Sequence, residues 1–331
     1  MRRFLKPRWL LIEWIVILTL LIVGFHVVPG PVAQPPVMSW GVTFNKGLAT
    51  YLGMNWKTAY SSMLDDLGVR WLRLETPWSD IEPTPGAFNI DDVRWQLDQA
   101  GRRGAKVLLS VGRKLPRWPE CYIPDWAAGL PAQAQEVQTL AMVRNVVDAL
   151  KDHPAIWAWQ VENEPLFPFG ECPRPSETLY RQEVELVRTL DTRPIVGTDS
   201  GELSTWWRMS SIVDILGVSI YRKVYHPILG YSRYPIVPAA YARKAAIVDS
   251  RVGRIISTEL QMEPWVPAGF LNTPIENQTP IFTTQDFTNN IEYAKKTGFD
   301  TVYLWGVEWW AWMKENNHPE YWEAAKGLFK P

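Results

Sequence analysis

The chain has 331 residues, of which 47% are hydrophobic, and 34 basic and 35 acidic side chains give it a net charge of -1. This length suits one large domain with a sizeable core, and the apolar content excludes a mainly disordered chain. The charge balance leaves no electrostatic footprint for nucleic acid, so we expect no nucleic-acid partner.

Several classes of function lack their characteristic residues. The four histidines have no ligand-like spacing, which argues against a histidine-based metal site. The chain has no glycine-rich phosphate loop, and Asp199 stands where the Gly-x-Ser-x-Gly motif of esterases has its serine. The two cysteines form no Cys-x-x-Cys motif. We therefore expect no metal ion and no other cofactor.

Tryptophan is unusually common, with 19 residues. This is more than a core needs, because a large ring with a polar N–H is awkward to bury completely, although roughly half of these residues could be core. Exposed indole rings suit stacking against the C–H faces of sugars. The composition therefore favours a carbohydrate partner.

In chain order, residues 1–8 carry four basic side chains, and residues 9–28 are mostly apolar apart from Glu13 near their start. This pattern predicts a transmembrane anchor with a basic cytoplasmic flank and the remainder outside the cytoplasm, in the periplasm or at the cell surface. A cleaved signal peptide is the alternative, although cleavage after Ala33 would put Pro31 at the upstream small position. Residues 29–36 contain four prolines and predict a stiff extended linker.

Residues 37–331 alternate apolar strand-like runs with amphipathic helical segments. The predicted strands are 37–44, 69–74, 105–111, 155–162, 194–198, 212–220, 254–258 and 301–305. The clearest predicted helices are 91–103, 133–151, 176–191, 239–250, 284–297 and 321–329. Eight such units predict an α/β domain with the (β/α)₈ TIM-barrel fold rather than a doubly wound sheet. Active sites of such barrels lie at the carboxyl ends of the strands.

The ends of predicted strands four and two carry recognisable motifs. The aromatic run 157–161 ends in Asn163-Glu164-Pro165, so a buried strand stops where a carboxylate is presented. Strand two contains Arg73 and is followed, in residues 78–88, by Trp-x-x-Ile-Glu-Pro-x-Pro-Gly-x-Phe. Both motifs resemble those of clan A glycoside hydrolases, the retaining (β/α)₈-barrel enzymes of the cellulase and β-glycosidase type.

The resemblance implies roles for four of these residues. Glu164 would be the catalytic acid/base, and Arg73 would hold the nucleophile ionised. Asn163 would donate a hydrogen bond to the 2-hydroxyl of the sugar. Because adjacent strand residues point to opposite faces, the use of both Asn163 and Glu164 requires a bulge or twist at the strand end. Trp78, in the loop after strand two, is a further candidate for substrate binding.

Clan A enzymes carry their nucleophilic glutamate at the end of strand seven. Glu259 directly follows the apolar part of that strand and is our candidate, with Glu263, four residues on, as the alternative. Family members place a tyrosine from strand six near the nucleophile, which implies Tyr221 or Tyr225. At the end of strand eight Trp305 resembles the sugar platform of the clan, and Trp265, after strand seven, is another candidate for substrate binding.

Two carboxylates in opposite protonation states can hydrolyse a glycosidic bond, and in retaining enzymes they lie about 5–5.5 Å apart. We therefore expect a retaining glycoside hydrolase that cleaves β-linked poly- or oligosaccharides outside the cytoplasm. A transglycosylase would use the same residues, and a non-catalytic carbohydrate-binding barrel would explain the tryptophans equally well. The sugar, the linkage and the oligomeric state are left open.

The two cysteines fall in neighbouring loops of the expected barrel. Cys121 follows strand three and Cys172 follows strand four. A disulfide between them is consistent with a domain outside the cytoplasm. Two separate reduced thiols are the alternative.

Overall fold

The protein is described by a computed structural model over residues 7–173 and 176–329. Its strands are β1 (Ser39–Thr43), β2 (Trp71–Glu75), β3 (Lys106–Val111), β4 (Ile156–Val161), β5 (Ile195–Asp199), β6 (Ile215–Ile220), β7 (Lys223–His226), β8 (Gly230–Arg233), β9 (Arg254–Gln261) and β10 (Thr301–Trp305). Eight of them close a parallel barrel in the order β1-β2-β3-β4-β5-β6-β9-β10, while β7 and β8 form an antiparallel hairpin after β6. The predicted (β/α)₈ barrel is confirmed.

Helices follow most of the barrel strands. They are α1 (Pro7–Val27), α2 (Lys46–Tyr51), α3 (Trp56–Asp65), α4 (Trp78–Ile81), α5 (Asp91–Arg102), α6 (Asp125–Ala128), α7 (Ala132–Leu150), α8 (Glu177–Leu190), α9 (Pro238–Val248), α10 (Ile275–Gln278), α11 (Thr284–Lys295), α12 (Val307–Glu315) and α13 (Glu320–Lys326). A short 3₁₀ turn, Met209–Ser211, precedes β6. The loops at the carboxyl ends of the barrel strands surround one mouth.

The core has two layers. A small apolar cluster draws one side chain from each of six barrel strands: Leu108, Ala158, Val196, Ile215, Ile256 and Tyr303. Since successive strand residues alternate faces, these side chains fill the inside of the barrel, and their neighbours pack in the larger cluster beneath the helices. The barrel is therefore a packed core whose polar side chains collect at the mouth.

Eight strands were predicted and all eight are present, with β10 at its predicted bounds. The hairpin was not predicted, nor were the helices α2, α3, α4, α6, α10 and α12. Helix α3 begins at Asn55, whose side-chain oxygen accepts from the amides of Lys57 and Thr58, a capping signal that the sequence does contain. Helix α12 holds the tryptophan-rich stretch after β10, where aromatic packing rather than helix propensity decides the conformation.

The predicted transmembrane anchor over residues 9–28 is not supported. None of the helices in the described part of the chain combines the length and the apolar character that crossing a membrane requires. The end of α1 also packs on the barrel: Arg243 of α9 donates from Nε to the carbonyl of Phe25 across 2.9 Å, and the amide of Val237 donates to His26. Residues 1–6 of the predicted basic flank lie outside the described residues, and residues 29–36 form no helix or strand.

Candidate active site

Glu164 and Glu259 both lie at the mouth of the barrel. Glu164 follows β4, and its Oε1 accepts from the Ser219 hydroxyl of β6 at 3.2 Å. The backbone on either side of Asn163 turns sharply, since Glu162 and Glu164 have φ angles of 58° and 43°. These left-handed conformations supply the twist expected at the strand end, and they are rare enough outside glycine to indicate a functional constraint.

Glu259 lies on β9 at an irregularity of the sheet. The register of β9 with β6 shifts between Ser257 and Glu259, so Thr258 lies in the irregularity. Bulges of this kind re-aim side chains and are common beside active sites. Both oxygens of Glu259 accept hydrogen bonds: Oε1 from Arg73 at 2.8 Å and Oε2 from the Tyr221 hydroxyl at 2.9 Å.

Arg73 connects several side chains at the mouth of the barrel. It is fully buried, and besides Glu259 it donates from Nη2 to Asn163 Oδ1 and from Nε to Gln160 Oε1, each at 2.7 Å. A guanidinium that satisfies three side chains in a fixed fork orients all of them. The structure thus brings together four predicted residues from four strand ends: Arg73, Asn163, Tyr221 and Glu259.

Burial favours the protonated form of Glu164. Removal from water, the nearby charge of Glu259 and that of Glu120 raise the pKa of Glu164 well above its usual value. Glu164 is therefore kept as a neutral acid beside Glu259, which is paired with Arg73. Glycosidic cleavage requires such a proton donor beside a second carboxyl group.

A third carboxylate stands beside this pair. Glu120, from the loop after β3, is buried and pairs with Lys114 at 2.6 Å. Lys114, itself without solvent exposure, also donates to the backbone carbonyl of Asn163 at 2.7 Å. Because Arg73 occupies Oδ1 of Asn163, the amide nitrogen of that side chain is the group that faces Glu120. Lys114 and Glu120 thus hold the β4 end in place.

Glu263 belongs to a different cluster. It pairs with Arg117 and accepts from the Trp305 ring nitrogen at 2.9 Å, and Arg117 also pairs with Glu308 at 2.9 Å. The guanidinium carbon of Arg117 lies 4.1 Å from the centroid of the Trp305 ring. One face of the predicted sugar platform is therefore covered by Arg117, and Trp305 is only 7% exposed.

Trp78, a candidate for substrate binding, is closed off from solvent. Its side chain has no solvent exposure, it packs edge-on against Trp126, and its ring nitrogen donates to Glu82 at 2.9 Å. Glu82 also accepts from the amide of Gly86 at 2.9 Å. The Trp-x-x-Ile-Glu-Pro-x-Pro-Gly motif therefore closes its own loop through Glu82.

Of the remaining aromatic candidates, Trp265 lies beside Tyr221 at the mouth, whereas Tyr225 lies on the hairpin. Trp265 is half-buried at the mouth, with its ring 5.9 Å from that of Tyr221. Tyr225 lies on the hairpin and pairs with Tyr231 at 5.2 Å. Tyr221 rather than Tyr225 therefore contacts Glu259.

Cys121 and Cys172 are free thiols in this structure. Their side chains are in hydrogen-bond contact, and this contact is the main reason that the pKa of Cys121 is lowered to about 7. Neither sulfur touches the carboxylates of the mouth. The contact does confirm that the two loops are neighbours.

Glu75 was missed by sequence reasoning, although it had a signal. It lies two residues after Arg73 on β2, so strand alternation places both side chains inside the barrel. Asn45 donates to Glu75 Oε2 at 2.9 Å, and burial raises the pKa of Glu75 to about 8. Glu75 also lines a cavity of about 310 Å³ between β1 and β2, with Lys46 among its other lining residues. Lys114, Arg117 and Glu120 had no such signal, because they sit in an irregular loop.

No protein-family model matches the sequence, and no curated protein matches it either. The fold is similar to a β-galactosidase from the psychrophilic Marinomonas ef1 (15% identity, TM-score 0.55, 81% of this chain and 54% of that one). It is also similar to GH5_18 from Streptomyces cattleya, solved in complex with GlcNAc (13%, 0.55, 82% and 71%). A third similar structure is endo-glycoceramidase II from Rhodococcus sp. (16%, 0.54, 83% and 75%).

The chain spans about half the length of the β-galactosidases it matches. At identities this low, similarity of structure is evidence about architecture only. The comparisons establish that the described chain has the (β/α)₈-barrel fold that these carbohydrate-active proteins share.

Proposed function

We propose that this protein is a retaining glycoside hydrolase acting on a β-linked poly- or oligosaccharide. The observation that carries the proposal is the pairing of opposite environments at the mouth. Glu259 accepts hydrogen bonds from Arg73 and Tyr221, whereas burial and neighbouring carboxylates raise the pKa of Glu164. This contrast supports Glu164 as the acid and Glu259 as the nucleophile.

In the first step Glu259 forms a bond to the anomeric carbon as the glycosidic C–O bond breaks. The proton of Glu164 passes to the departing oxygen, which leaves as an alcohol. Asn163, fixed through Arg73, is placed to donate its amide N–H to the sugar. In the second step the Glu164 carboxylate takes a proton from water while the water oxygen displaces Glu259, so the anomeric configuration is retained.

The activities of proteins with a similar fold support the proposal that this protein cleaves glycosidic bonds. These proteins are β-galactosidases, an endo-glycoceramidase with a lactosyl-enzyme intermediate and an exo-β-1,4-mannosidase. These activities belong to those proteins. What they share with this chain is the barrel, and the two glutamates at its mouth make the same class of chemistry possible here.

The test is turnover of chromogenic β-glycosides and β-linked polysaccharides by the full chain and three variants. Glu164→Gln should lower kcat by roughly 10²- to 10⁴-fold, the range for loss of a general acid, and Glu259→Gln should abolish turnover. Glu185→Gln, at an exposed position of α8, is the matched control and should leave turnover unchanged. Unchanged turnover in Glu259→Gln would refute the proposal.

We further propose that the barrel acts outside the cytoplasm. The support is the basic and apolar character of residues 1–28. Fusing residues 1–36 to alkaline phosphatase tests it, because that reporter folds only after export. An inactive fusion that accumulates in the cytoplasm would contradict this part of the proposal.

A further inference from the structure

Four aromatic side chains form a continuous strip from Glu259 to the surface, which we call the aromatic strip: Tyr221, Trp265, Phe169 and Trp118. Their ring centroids follow one another at 5.9, 6.1 and 5.9 Å. Exposure increases along the strip, since the first three rings are half-buried and Trp118 is 64% exposed. The inner end is part of the candidate active site, because Tyr221 donates to Glu259 at 2.9 Å.

The outer end is held in a rigid turn. Arg117 and Glu120 have φ angles of 77° and 59°, and both side chains are buried in the mouth while Trp118 between them faces solvent. Two left-handed non-glycine residues in one turn cost free energy, and such strain usually marks functional positions. The exposed indole is therefore presented by the same turn that delivers Arg117 and Glu120 to the site.

The segments that carry the strip are joined in two pairs. The amide of Glu171 donates to the Pro119 carbonyl at 3.0 Å. A β-carbon on Gly170 would lie 3.0 Å from that of Glu120, so the loops after β3 and β4 approach as closely as a glycine allows. The hydroxyl of Tyr231 donates to the Trp265 carbonyl at 2.9 Å and ties the hairpin to the loop after β9. A surface fixed in this way binds without a large ordering cost.

The chemistry of the strip favours sugars over an acyl chain. Three of its members, Tyr221, Trp265 and Trp118, are flat rings with a polar atom at the edge, which suit the C–H faces and hydroxyl rims of successive sugar units, and Phe169 adds a purely apolar ring. The exposed aliphatic side chains nearby, Ile228 and Leu229, lie at the hairpin tip, outside the strip. A series of rings that runs from the candidate nucleophile to the surface also suits a substrate that continues beyond the cleaved bond.

Building on the proposed function, we propose that the aromatic strip binds sugar units beyond the cleaved bond, so that the protein acts on extended β-linked chains rather than on short glycosides. Trp118 is then a binding residue for a distant sugar unit and takes no part in the chemical step. The proposal predicts that kcat/KM depends on the length of the substrate and that the contribution of the most distant sugar unit requires Trp118.

The experiment measures kcat/KM of the full chain on a disaccharide-to-hexasaccharide series of the linkage it cleaves and on the corresponding aryl monosaccharide. We expect kcat/KM to rise with chain length in the wild type. Trp118→Ala should lower kcat/KM roughly tenfold on the longest substrates, mainly through KM, and leave the aryl glycoside unaffected. Trp207→Ala, at another exposed tryptophan that contacts Arg251, is the matched control and should change neither.

The outcomes separate the two proposals. If the aryl glycoside is hydrolysed but kcat/KM does not rise with the length of the oligosaccharide, the proposed role of the aromatic strip is wrong and the proposed function is unaffected. If no glycoside is cleaved, calorimetric titration of a panel of β-linked hexasaccharides into the wild type and Trp118→Ala still tests the strip, and equal affinities of the two proteins for every member would overturn it. If kcat/KM instead rises with the length of the alkyl chain in a series of alkyl glycosides, and Trp118→Ala abolishes that rise, the strip binds a lipid chain. That result would refute the proposal that it binds sugar units.

Discussion

Arg73 and Glu259 are 186 residues apart in the sequence, yet Nη1 of Arg73 donates to Oε1 of Glu259 across 2.8 Å inside the barrel. The same guanidinium holds Asn163 at 2.7 Å. One buried cation therefore fixes the proposed nucleophile and the proposed sugar-binding amide in a single arrangement.

This arrangement predicts a large effect of removing the guanidinium. Arg73→Met leaves Glu259 as a buried carboxylate without its cation, so we expect the free energy of unfolding to fall by about 3–5 kcal/mol. Arg73→Lys keeps the charge but cannot reach three acceptors at once, so stability should fall less while turnover still drops. Urea denaturation and kcat measure the two effects. A wild-type urea midpoint for Arg73→Met would contradict the account.

The protonation of Glu164 predicts the pH dependence of catalysis. Because its pKa is raised, the acid form persists above the usual range of a carboxyl, and kcat/KM should fall as the pH rises through that pKa. Substrates whose leaving group needs no proton, such as dinitrophenyl glycosides, should show a weaker alkaline decline. The decline should be absent in Glu164→Gln. If that variant keeps the alkaline limb of the wild type, another group is the acid.

Glu75 predicts a pH dependence of stability. Burial raises its pKa from 4.5 to about 8, so between these values the folded protein keeps a proton that the unfolded chain has lost. Stability from this group is therefore complete below about pH 4.5 and declines as the pH rises through about 8. Glu75→Gln, which is neutral throughout, should flatten that decline in urea midpoints taken across the window. An unchanged slope, relative to wild type and to Glu185→Gln, would count against the raised pKa.

The cysteine contact predicts that mild oxidation joins Cys121 to Cys172. The thiol of Cys121, with its pKa lowered to about 7, is the more readily ionised partner. The bridge would close a loop of about fifty residues and should add about 4 kcal/mol to stability in the chain-entropy account. Peptide mapping without reductant identifies the bond, and Cys172→Ser should prevent it. If both thiols are still free after oxidation, the prediction is wrong.

Much of the architecture could be predicted because strand alternation and helix periodicity are local. The end of each barrel strand was located closely enough to identify Arg73, Glu164 and Glu259, and the barrel then places them at one mouth. These three residues could be placed without predicting any loop conformation, because all of them belong to strands or to strand ends.

The rest of the site depends on tertiary contacts that leave little trace in the sequence. Arg117 and Glu120 turn inward only because of left-handed backbone in the loop after β3, and nothing in their types predicts it. Trp78 and Trp305 are both tryptophans near strand ends, but the first is closed off by Glu82 and the second is covered by Arg117. Residue type alone does not distinguish a sugar platform from a packed ring.

The central claim is that Glu259 becomes covalently bonded to the sugar, and it is tested most directly by trapping that bond. The wild-type chain is incubated with the fluorinated analogue of a β-glycoside that it hydrolyses, and the labelled peptide is identified by mass spectrometry. The account predicts one sugar per chain, on Glu259, and no label in Glu259→Gln. A label on Glu263, or continued turnover without any covalent adduct, would contradict it.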